Sequence, residues 1–266
     1  MSKSASALPE LLAIMAKLRD PQNGCPWDLK QDFKSIVPHT LEEAYEVADC
    51  IERGDFTELK TELGDLLFQV IFYAQLAAEQ KLFDFEDVIS ALNDKLVRRH
   101  PHVFASNSKL SEQQVAQQWQ AIKAQERATK NSGNPPALWQ DIPANLPGLS
   151  KAKKIQQRVA GLGFDWPSYH GALEKVAEEV DEVKEALAVD PYSAHSAEEI
   201  GDLLFATVNV ARHIKRDPEQ LLRNANDKFS ARFEKVQAYL HAHGQSLDTA
   251  TLEEMDAAWD EIKKQP

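Results

Sequence analysis

The sequence predicts an all-α protein composed of two tandem helical repeats. Ten glycines occur among 266 residues, and long runs contain no turn-forming residues, a pattern that favours helices over a sheet with many tight turns. Within those runs apolar residues recur every three or four positions, which is the period of an amphipathic helix. Because the chain exceeds the roughly 100 to 200 residues of one domain, we expect two compact units.

Two helices are predicted in the first half of the chain. Residues 41–52 carry apolar side chains at helical spacing, with acidic side chains between them. Residues 62–79 keep the same period over a length that exceeds an ordinary strand. The short connection around Gly54 favours an antiparallel helical hairpin.

The second half of the chain repeats motifs of the first half in the same order. The segment Gly-Asp-Leu-Leu-Phe occurs unchanged at residues 64–68 and 201–205. The other matches pair residues 41–47 with 177–183, 93–95 with 226–228, and 119–123 with 259–263. Chance similarity between amphipathic helices explains one such match but hardly four in order, so we infer a duplicated helical unit.

A proline-rich stretch separates the two repeats. Residues 131–150 hold Gly133, Gly148 and four prolines, a composition that stops helices and suits an extended linker. The predicted organisation is therefore an N-terminal repeat over residues 1–130, a linker over 131–150 and a C-terminal repeat over 151–266.

Composition limits the partners and the location of the protein. Forty-two acidic against thirty basic residues give a net charge of -12, which argues against nucleic acid as the main partner. A free nucleotide is still compatible, because metal ions bridge carboxylates to phosphate oxygens. Cys25 and Cys50 are too few for a disulfide framework, and the sequence has neither a signal-like apolar core nor a run long enough to span a membrane. We therefore expect a cytoplasmic protein with no membrane partner.

Two pairs of acidic residues in each repeat form the most informative pattern. The acids of each pair are three residues apart, which places both on one helical face with about 5 to 6 Å between their Cβ atoms. A hairpin would bring the two pairs of a repeat together. Four adjacent carboxylates repel one another unless a hard cation neutralises them, so the pattern predicts a Mg2+ site. The pairs are Glu43 with Glu46 and Glu62 with Asp65, then Glu179 with Glu182 and Glu199 with Asp202.

A solvated acidic helix face is the alternative explanation of these pairs. Against it, the second pair of each repeat lies in a strongly apolar helix, where burial of an unpaired carboxylate is costly. Gly64 and Gly201 precede the two aspartates, although glycine inside a helix costs about 1 kcal/mol relative to alanine. These glycines indicate either close approach of another helix or space for a ligand.

The arrangement resembles the signature of a known enzyme family. Glu-x-x-Glu is followed after fifteen or sixteen residues by Glu-x-x-Asp, as in the MazG family of all-α nucleoside triphosphate pyrophosphohydrolases. Residues 24–28 (Gly-Cys-Pro-Trp-Asp), 41–43 (Leu-Glu-Glu) and 98–104 (Arg-Arg-His-Pro-His-Val-Phe) extend the resemblance along nearly the full chain. It implies the all-α NTP pyrophosphatase fold, with two tandem MazG-like helical bundles.

The resemblance also implies an activity. Enzymes of this family hydrolyse nucleoside triphosphates to the monophosphate and pyrophosphate with Mg2+, and Mn2+ is an expected substitute. The resemblance further implies broad base specificity, a homodimer, and a role in nucleotide-pool housekeeping or in a stress response. It names no regulatory protein partner.

Carried over residue by residue, the resemblance assigns a site to the C-terminal repeat. It implies that Glu179, Glu182, Glu199 and Asp202 bind Mg2+ and are catalytic. Lysine and arginine neutralise phosphate charge, and an indole stacks on any base, so residues of these types suit substrate contacts. The alternatives are that Lys228 and Arg232 form an exposed helix pair and that Trp259 anchors the last helix in the core. The implied substrate-binding residues are Lys175, Glu178, Glu198, Asp202, Lys228, Arg232 and Trp259.

The N-terminal repeat is a possible second site. It departs from the C-terminal repeat at His39, which stands where the latter has Lys175. A mostly neutral imidazole is a poorer phosphate partner at pH 7, so we expect the main active site in the C-terminal repeat. Turnover at the N-terminal repeat stays open. The residues of the possible second site are Glu43, Glu46, Glu62, Asp65, Lys95, Arg99 and Trp119.

Two other functions are compatible with the same acids. An enzyme with narrow specificity for dUTP or phosphoribosyl-ATP would differ in its base pocket, and a noncatalytic module would bind nucleotides without releasing pyrophosphate. A P-loop NTPase is disfavoured because the sequence has no Gly-x-x-x-x-Gly-Lys-Ser/Thr loop.

Overall fold

The computed structural model confirms the all-α prediction. It describes residues 7–105, 110–130, 138–140 and 142–264, and of Gln120 and residues 127–130 only the helical backbone. The residues in these ranges form helices, turns and connections but no strand. The chain divides into two compact units, Met1–Arg127 and Ala128–Pro266.

The N-terminal unit is built around a pair of long helices, α2 and α3, that pack against each other. Met15 from α1 and Ile71 and Phe72 from α3 are buried together in its core. The Arg19 guanidinium donates to both carboxylate oxygens of Glu79 (2.8 and 2.7 Å), which ties the end of α1 to the end of α3. The helices are α1 (Ala7–Leu18), α2 (Val37–Arg53), α3 (Phe56–Glu79), α4 (Phe85–Arg99), α5 (Pro101–Phe104) and α6 (Glu112–Lys130), with a 3-10 turn at Asp28–Lys30.

The two helices predicted in this unit are present, although each begins earlier than predicted. α2 contains residues 41–52, and α3 contains residues 62–79. Gly54 ends α2 in the left-handed region with φ of 71°. The carboxylate of Asp55 then accepts hydrogen bonds from the backbone N–H groups of Thr57 (3.1 Å) and Glu58 (3.0 Å). This N-cap starts α3 six residues before its apolar pattern becomes clear.

The C-terminal unit has the same central feature, since α8 and α9 pack against each other. Its first helix packs against α9 and α10, while α10 and α11 share a buried cluster that includes Val236, Leu240 and Ile262. A short connection capped by Ser193 joins α8 to α9. The helices are α7 (Gly148–Ala160), α8 (Tyr169–Val189), α9 (Ala194–His213), α10 (Pro218–Ala242) and α11 (Leu252–Lys264).

The predicted linker lies partly outside the described residues. Residues 131–137 and 141 of the predicted linker are not among the described residues. The last part of the predicted linker, Gly148–Ser150, forms the first turn of α7. Among the described helices, none combines the length and the apolar character that crossing a bilayer requires.

The two helix glycines that precede the aspartates are not explained by close packing of another helix of this chain. A Cβ atom added at Gly64 or Gly201 would meet none of the described atoms within 4 Å. Within the described part of this chain, close approach of another helix therefore does not account for the two glycines, and open space beside the following aspartates agrees with the structure.

Candidate functional site

Acidic side chains from α8 and α9 meet in the C-terminal unit. Carboxylate oxygens of Glu179, Glu199 and Asp202 all lie within 4.8 Å of one another. The spacing of three residues places Glu179 beside Glu182 on α8 and Glu199 beside Asp202 on α9, and the pairing of the helices brings Glu179 together with Glu199 and Asp202. Glu182 lies outside this group of three, although the charges of Glu179 and Glu199 act on it. We call Glu179, Glu182, Glu199 and Asp202 the C-terminal acidic cluster.

Glu179 is the most deeply placed member of this cluster, with 5% of its surface exposed. Its Oε1 atom lies 2.8 Å from Lys175 Nζ. Its Oε2 atom is buried and accepts no hydrogen bond from any described group. A buried carboxylate oxygen without a partner is costly, so this atom is suited to a cation.

Electrostatics within the cluster follow from burial and like charge. Burial raises the pKa of Glu182, and Glu179 and Glu199 raise it further, although Lys175 opposes the shift. Lys175 donates to Glu178 Oε1 at 2.8 Å, and its hydrogen bonds to Glu178 and Glu179 raise its own pKa. His195 Nδ1 lies 3.3 Å from Glu199 Oε1 at the other side of the cluster. One lysine thus offsets part of a strongly negative site.

The donor set fits a hard divalent cation. All the side-chain atoms involved are carboxylate oxygens, which Mg2+ prefers at about 2.1 Å, so that opposite ligands are about 4.2 Å apart. The observed grouping within 4.8 Å needs only small side-chain movements to reach that spacing. The unpaired Oε2 atom of Glu179 supports the same assignment from an independent feature of the site.

A comparable group of acids lies in the N-terminal unit. Oxygens of Glu43, Glu46 and Glu62 also lie within 4.8 Å of one another. Burial raises the pKa of Glu43, and the charges of Glu46 and Asp65 raise it further. The Gln69 amide donates to Glu43 Oε1 at 3.4 Å. Three of the four acids of the possible second site are therefore brought together, and Asp65 is near enough for its charge to act on Glu43.

An open cleft of about 430 Å3 adjoins the C-terminal acidic cluster. Most of its wall is apolar surface, and Lys175, Glu179 and Asp202 also line it. The cleft therefore has the shape and the apolar wall to hold a planar ring system. A phosphate group attached to that ring would lie beside the carboxylates, where a bound cation would link the two. Its other lining residues are Gln156, Val159, Gly163, Phe164, Asp165, Trp166, Ala172, Phe205, Ala206, Asn209 and Arg212.

Sequence reasoning missed the part of this cleft contributed by the connection between α7 and α8. Phe164, Asp165 and Trp166 lie on that connection, directly after Gly163 with its φ of 92°. A signal was present, because residues 163–166 (Gly-Phe-Asp-Trp) follow the first helix of their unit much as residues 24–28 do in the first unit. The amide residues Gln156 and Asn209 gave no comparable signal.

Several predicted substrate-binding residues lie away from the cleft. Arg232 packs over the Trp259 ring at 5.1 Å, and Trp259 also contacts Phe229 at a ring distance of 5.1 Å. Trp259 packs against the buried cluster of α10 and α11, as its alternative explanation anticipated. Within the described part of the unit, Lys228, Arg232 and Trp259 do not line the cleft. Glu178 and Glu198 are exposed on α8 and α9.

The other residues of the possible second site are also engaged elsewhere. Arg99 donates to both oxygens of Glu126 at 3.2 and 2.7 Å. The Trp119 ring contacts His100 edge-on at 5.2 Å, and Lys123 lies over it at 5.7 Å. Lys95 is exposed on α4. His39 lies 3.6 Å from Glu42, so the counterpart of Lys175 contacts an acid outside the grouped carboxylates.

The two units differ most at the position of the cleft. When Gly64 is aligned with Gly201, Phe72 corresponds to Asn209. Phe72 is fully buried in the core of its unit, with the Arg19 guanidinium 5.3 Å from its ring centre. A buried aromatic ring thus replaces the amide that lines the cleft in the C-terminal unit.

Comparisons with known proteins give one consistent result. Residues 31–104 match the family described as the MazG nucleotide pyrophosphohydrolase domain. The chain is 50% identical over 259 residues to the nucleoside triphosphate pyrophosphohydrolase of Escherichia coli K12, covering 97% of each chain. It is 42% identical over 263 residues to the nucleoside triphosphate pyrophosphohydrolase/pyrophosphatase MazG of Thermotoga maritima, covering 99% of this chain and 98% of the relative. A crystal structure of a mazG-related protein from Thermotoga maritima covers 44% of this chain and 98% of its own, with 27% identity and a TM-score of 0.38.

Proposed function

This chain belongs to the MazG family and is a nucleoside triphosphate pyrophosphohydrolase, and we propose that its reaction takes place at the C-terminal acidic cluster with Mg2+ as cofactor. The products are the nucleoside monophosphate and pyrophosphate. The observation that supports this location most strongly is the buried, unpaired Oε2 atom of Glu179, grouped with Glu199 and Asp202 beside an open cleft.

Two differences between the units favour the C-terminal one as the main active site. Lys175 contacts the carboxylates directly, whereas His39 contacts Glu42. The cleft next to the C-terminal cluster offers space for a nucleoside, whereas Phe72 occupies the position that corresponds to Asn209. The N-terminal acids are grouped in a similar way, so we expect them to bind a cation with weak turnover or none.

The residues of the cluster have distinct roles in this proposal. Glu179, Glu182, Glu199 and Asp202 would hold the cation. Bound there, Mg2+ would polarise the triphosphate and lower the pKa of the attacking water. One carboxylate of the cluster orients or deprotonates that water, which attacks the α-phosphorus. The bond from this phosphorus to the oxygen that bridges the α- and β-phosphates breaks, and pyrophosphate leaves with that oxygen. Lys175 adds positive charge beside the phosphates and stabilises the charge that develops on the leaving pyrophosphate.

We place the base in the cleft. Phe164, Trp166 and Phe205 offer aromatic surface, and stacking on such surfaces accepts every base because each has a π face. This arrangement supports broad base specificity. Trp259, Lys228 and Arg232 stay predictions as substrate contacts, and a comparison of Trp166→Ala with Trp259→Ala would show which tryptophan affects KM.

A homodimer in the cytoplasm completes the proposal. Leu173, Ile200 and Leu204 are exposed apolar side chains on α8 and α9, which is the kind of surface that a second copy covers. Both cysteines are free thiols, which suits a reducing compartment. Analytical ultracentrifugation should give twice the mass of one chain, and a monomer at micromolar concentration would contradict the dimer.

The experiment that tests the proposed reaction is product identification. The full chain would be incubated with Mg2+ and each of ATP, GTP, CTP, UTP and dUTP, and the products separated by ion-exchange chromatography. We expect monophosphate and pyrophosphate from all of them, with loss of both products when EDTA is added. Turnover of dUTP alone would support the narrow-specificity alternative, and binding without pyrophosphate would support a noncatalytic module.

A further inference from the structure

We propose that the Trp166 ring packs on the backbone of Gly171 and that this contact sets the width of the nucleoside cleft. The two residues would then determine which bases the cleft accepts by size. The inference rests on the proposed placement of the base in the cleft. It assigns a role to a glycine that lies outside the acidic cluster and outside every motif recognised in the sequence.

The contact between the two residues is unusually close. A Cβ atom built on Gly171 would lie 2.7 Å from Trp166 Cγ and 3.0 Å from Nε1, with Cδ1 nearer still. Real Cβ atoms essentially never approach other atoms to less than 3.0 Å. The indole ring therefore rests directly on the backbone of the first turn of α8, and alanine at this position would have to displace it.

Backbone conformation does not explain the glycine. Gly171 lies inside α8, and positive φ angles occur among the described glycines at Gly54, Gly163 and Gly244 instead. Glycine is less favourable than alanine within a helix. The contact with Trp166 is thus the feature of this structure that requires a residue without a side chain.

The backbone beside Trp166 is fixed on its other side. Asp165 accepts hydrogen bonds from Arg212 Nη1 at 2.9 Å and from Nη2, and His213 Nε2 lies 3.1 Å from Asp165 Oδ1. Arg212 is itself held by Asn209, whose Oδ1 atom accepts from Arg212 Nε at 2.7 Å. Because this anchor holds the segment on α9 and Trp166 lines the cleft, we expect a displaced indole ring to move into the cleft.

A narrower cleft discriminates by ring size. Phe205 and Asn209 line the cleft from α9, and Gln156 is held in place from α7 by donating to the Phe205 carbonyl at 2.8 Å. Gln156 and Asn209 are each held by a hydrogen bond, so this side of the cleft has little freedom to adjust. A bicyclic purine should therefore lose more affinity than a pyrimidine when the Trp166 ring advances.

The test compares Gly171→Ala with Gly148→Ala in the full chain. Gly148 also lies in a helix of the C-terminal unit, and a Cβ atom there would meet no described atom within 4 Å. We expect Gly171→Ala to raise KM for ATP and GTP about tenfold more than for CTP and UTP, with a smaller effect on kcat. Gly148→Ala should match the parent for all four nucleotides.

A double-mutant cycle separates this positioning role from a general structural defect. If Gly171 acts through Trp166, then Gly171→Ala should have no further effect on KM in a Trp166→Ala background. An equal effect in both backgrounds would overturn the proposal, as would equal KM changes for purines and pyrimidines. Circular dichroism would confirm that each variant is folded.

Two outcomes distinguish this inference from the proposed function. If the parent releases pyrophosphate but Trp166→Ala leaves every KM unchanged, the reaction stands and the inference is wrong. If the parent releases no pyrophosphate, the proposed reaction fails. In that case the dissociation constants of ATP and CTP are measured by calorimetry on the same variants. A larger increase for ATP than for CTP in Gly171→Ala would support the inference, and equal increases would overturn it.

Discussion

Lys175 places a positive charge in the C-terminal unit at the position where the N-terminal unit has His39. Its Nζ atom lies 2.8 Å from both Glu178 Oε1 and Glu179 Oε1, and 4.0 Å from Glu182 Oε2. A cation in this position reduces repulsion within the acidic cluster and adds positive potential where phosphates would bind. In the N-terminal unit, His39 is directed to Glu42 instead.

Replacement of Lys175 by glutamine should therefore impair catalysis. We expect Lys175→Gln to lower kcat/KM for ATP by about tenfold to a hundredfold, because one positive charge is lost beside the developing negative charge. Steady-state pyrophosphate release measures this effect. The matched control is Lys184→Gln, since Lys184 lies on the same helix and forms an exposed pair with Asp181 at 2.8 Å. Equal losses in the two variants would contradict a specific role for Lys175.

Glu126 is a second residue whose charge has a measurable consequence. Hydrogen bonds from Arg99 and Arg98 lower the pKa of Glu126 to about 2. A carboxyl group whose pKa is lowered by folding stabilises the folded state above its ordinary pKa of 4.5, and this contribution is lost as the pH falls toward about 2.

The corresponding prediction concerns Glu126→Gln. This variant should unfold at a lower urea concentration than the parent at pH 7, and the difference should shrink progressively as the pH is lowered from about 4.5 toward 2. We expect a small difference in stability, because Arg99 and Glu126 are partly exposed and solvent weakens their ion pair. A difference that stays constant between pH 7 and pH 3 would mean that the ion pairs do not stabilise the unit.

At the scale of a helix, the pair formed by α2 and α3 contains two glycines with opposite requirements. Gly54 ends α2 with φ of 71°, a conformation that L-residues adopt at a cost. Gly64 lies inside α3, where a Cβ atom would meet no described atom within 4 Å. The first glycine is needed for the turn, while the second weakens its helix.

Alanine at these two positions should change stability in opposite directions. We expect Gly54→Ala to destabilise the protein by about 1 kcal/mol and Gly64→Ala to stabilise it by up to about 1 kcal/mol. Urea denaturation of both variants measures the two signs. Destabilisation by Gly64→Ala would show that the open space beside Asp65 has a structural function that the helix requires.

Helix boundaries also show what the sequence revealed at this scale. The apolar period located α3 correctly from residue 62 onward, but its true start at Phe56 depends on the cap that Asp55 provides. Aspartate is a preferred N-cap residue, so Asp55 in the sequence is a signal for this helix start. Periodicity reports the buried face of a helix, and the first turn of α3 lies before that face becomes continuous.

At the scale of the whole molecule, the duplicated acids were predictable and the cleft was not. Helical spacing and a short connection suffice to bring Glu179 together with Glu199, because both rules are local. The cleft depends on how the connection between α7 and α8 packs onto α9, through Asp165 and Arg212. These residues are 47 positions apart, and no local pattern links them.

The two units of the whole molecule are duplicated in sequence but differ at their sites. Each unit groups three acids, of which Glu43 and Glu62 correspond to Glu179 and Glu199, but the third is Glu46 in one unit and Asp202 in the other. The cleft adjoins the C-terminal cluster, whereas Phe72 is buried at the position of the N-terminal unit that corresponds to Asn209. We therefore attribute turnover to the C-terminal unit and expect the N-terminal acids to contribute little to it.

The most direct test measures pyrophosphate release from ATP with Mg2+ by the parent chain, Glu179→Gln and Glu43→Gln. The two substitutions remove one carboxylate each from equivalent positions and keep the side-chain shape. We expect Glu179→Gln to lose at least about a hundredfold in kcat, while Glu43→Gln retains most of the parent rate. Loss of activity in Glu43→Gln with retention in Glu179→Gln would show that turnover takes place in the N-terminal unit instead.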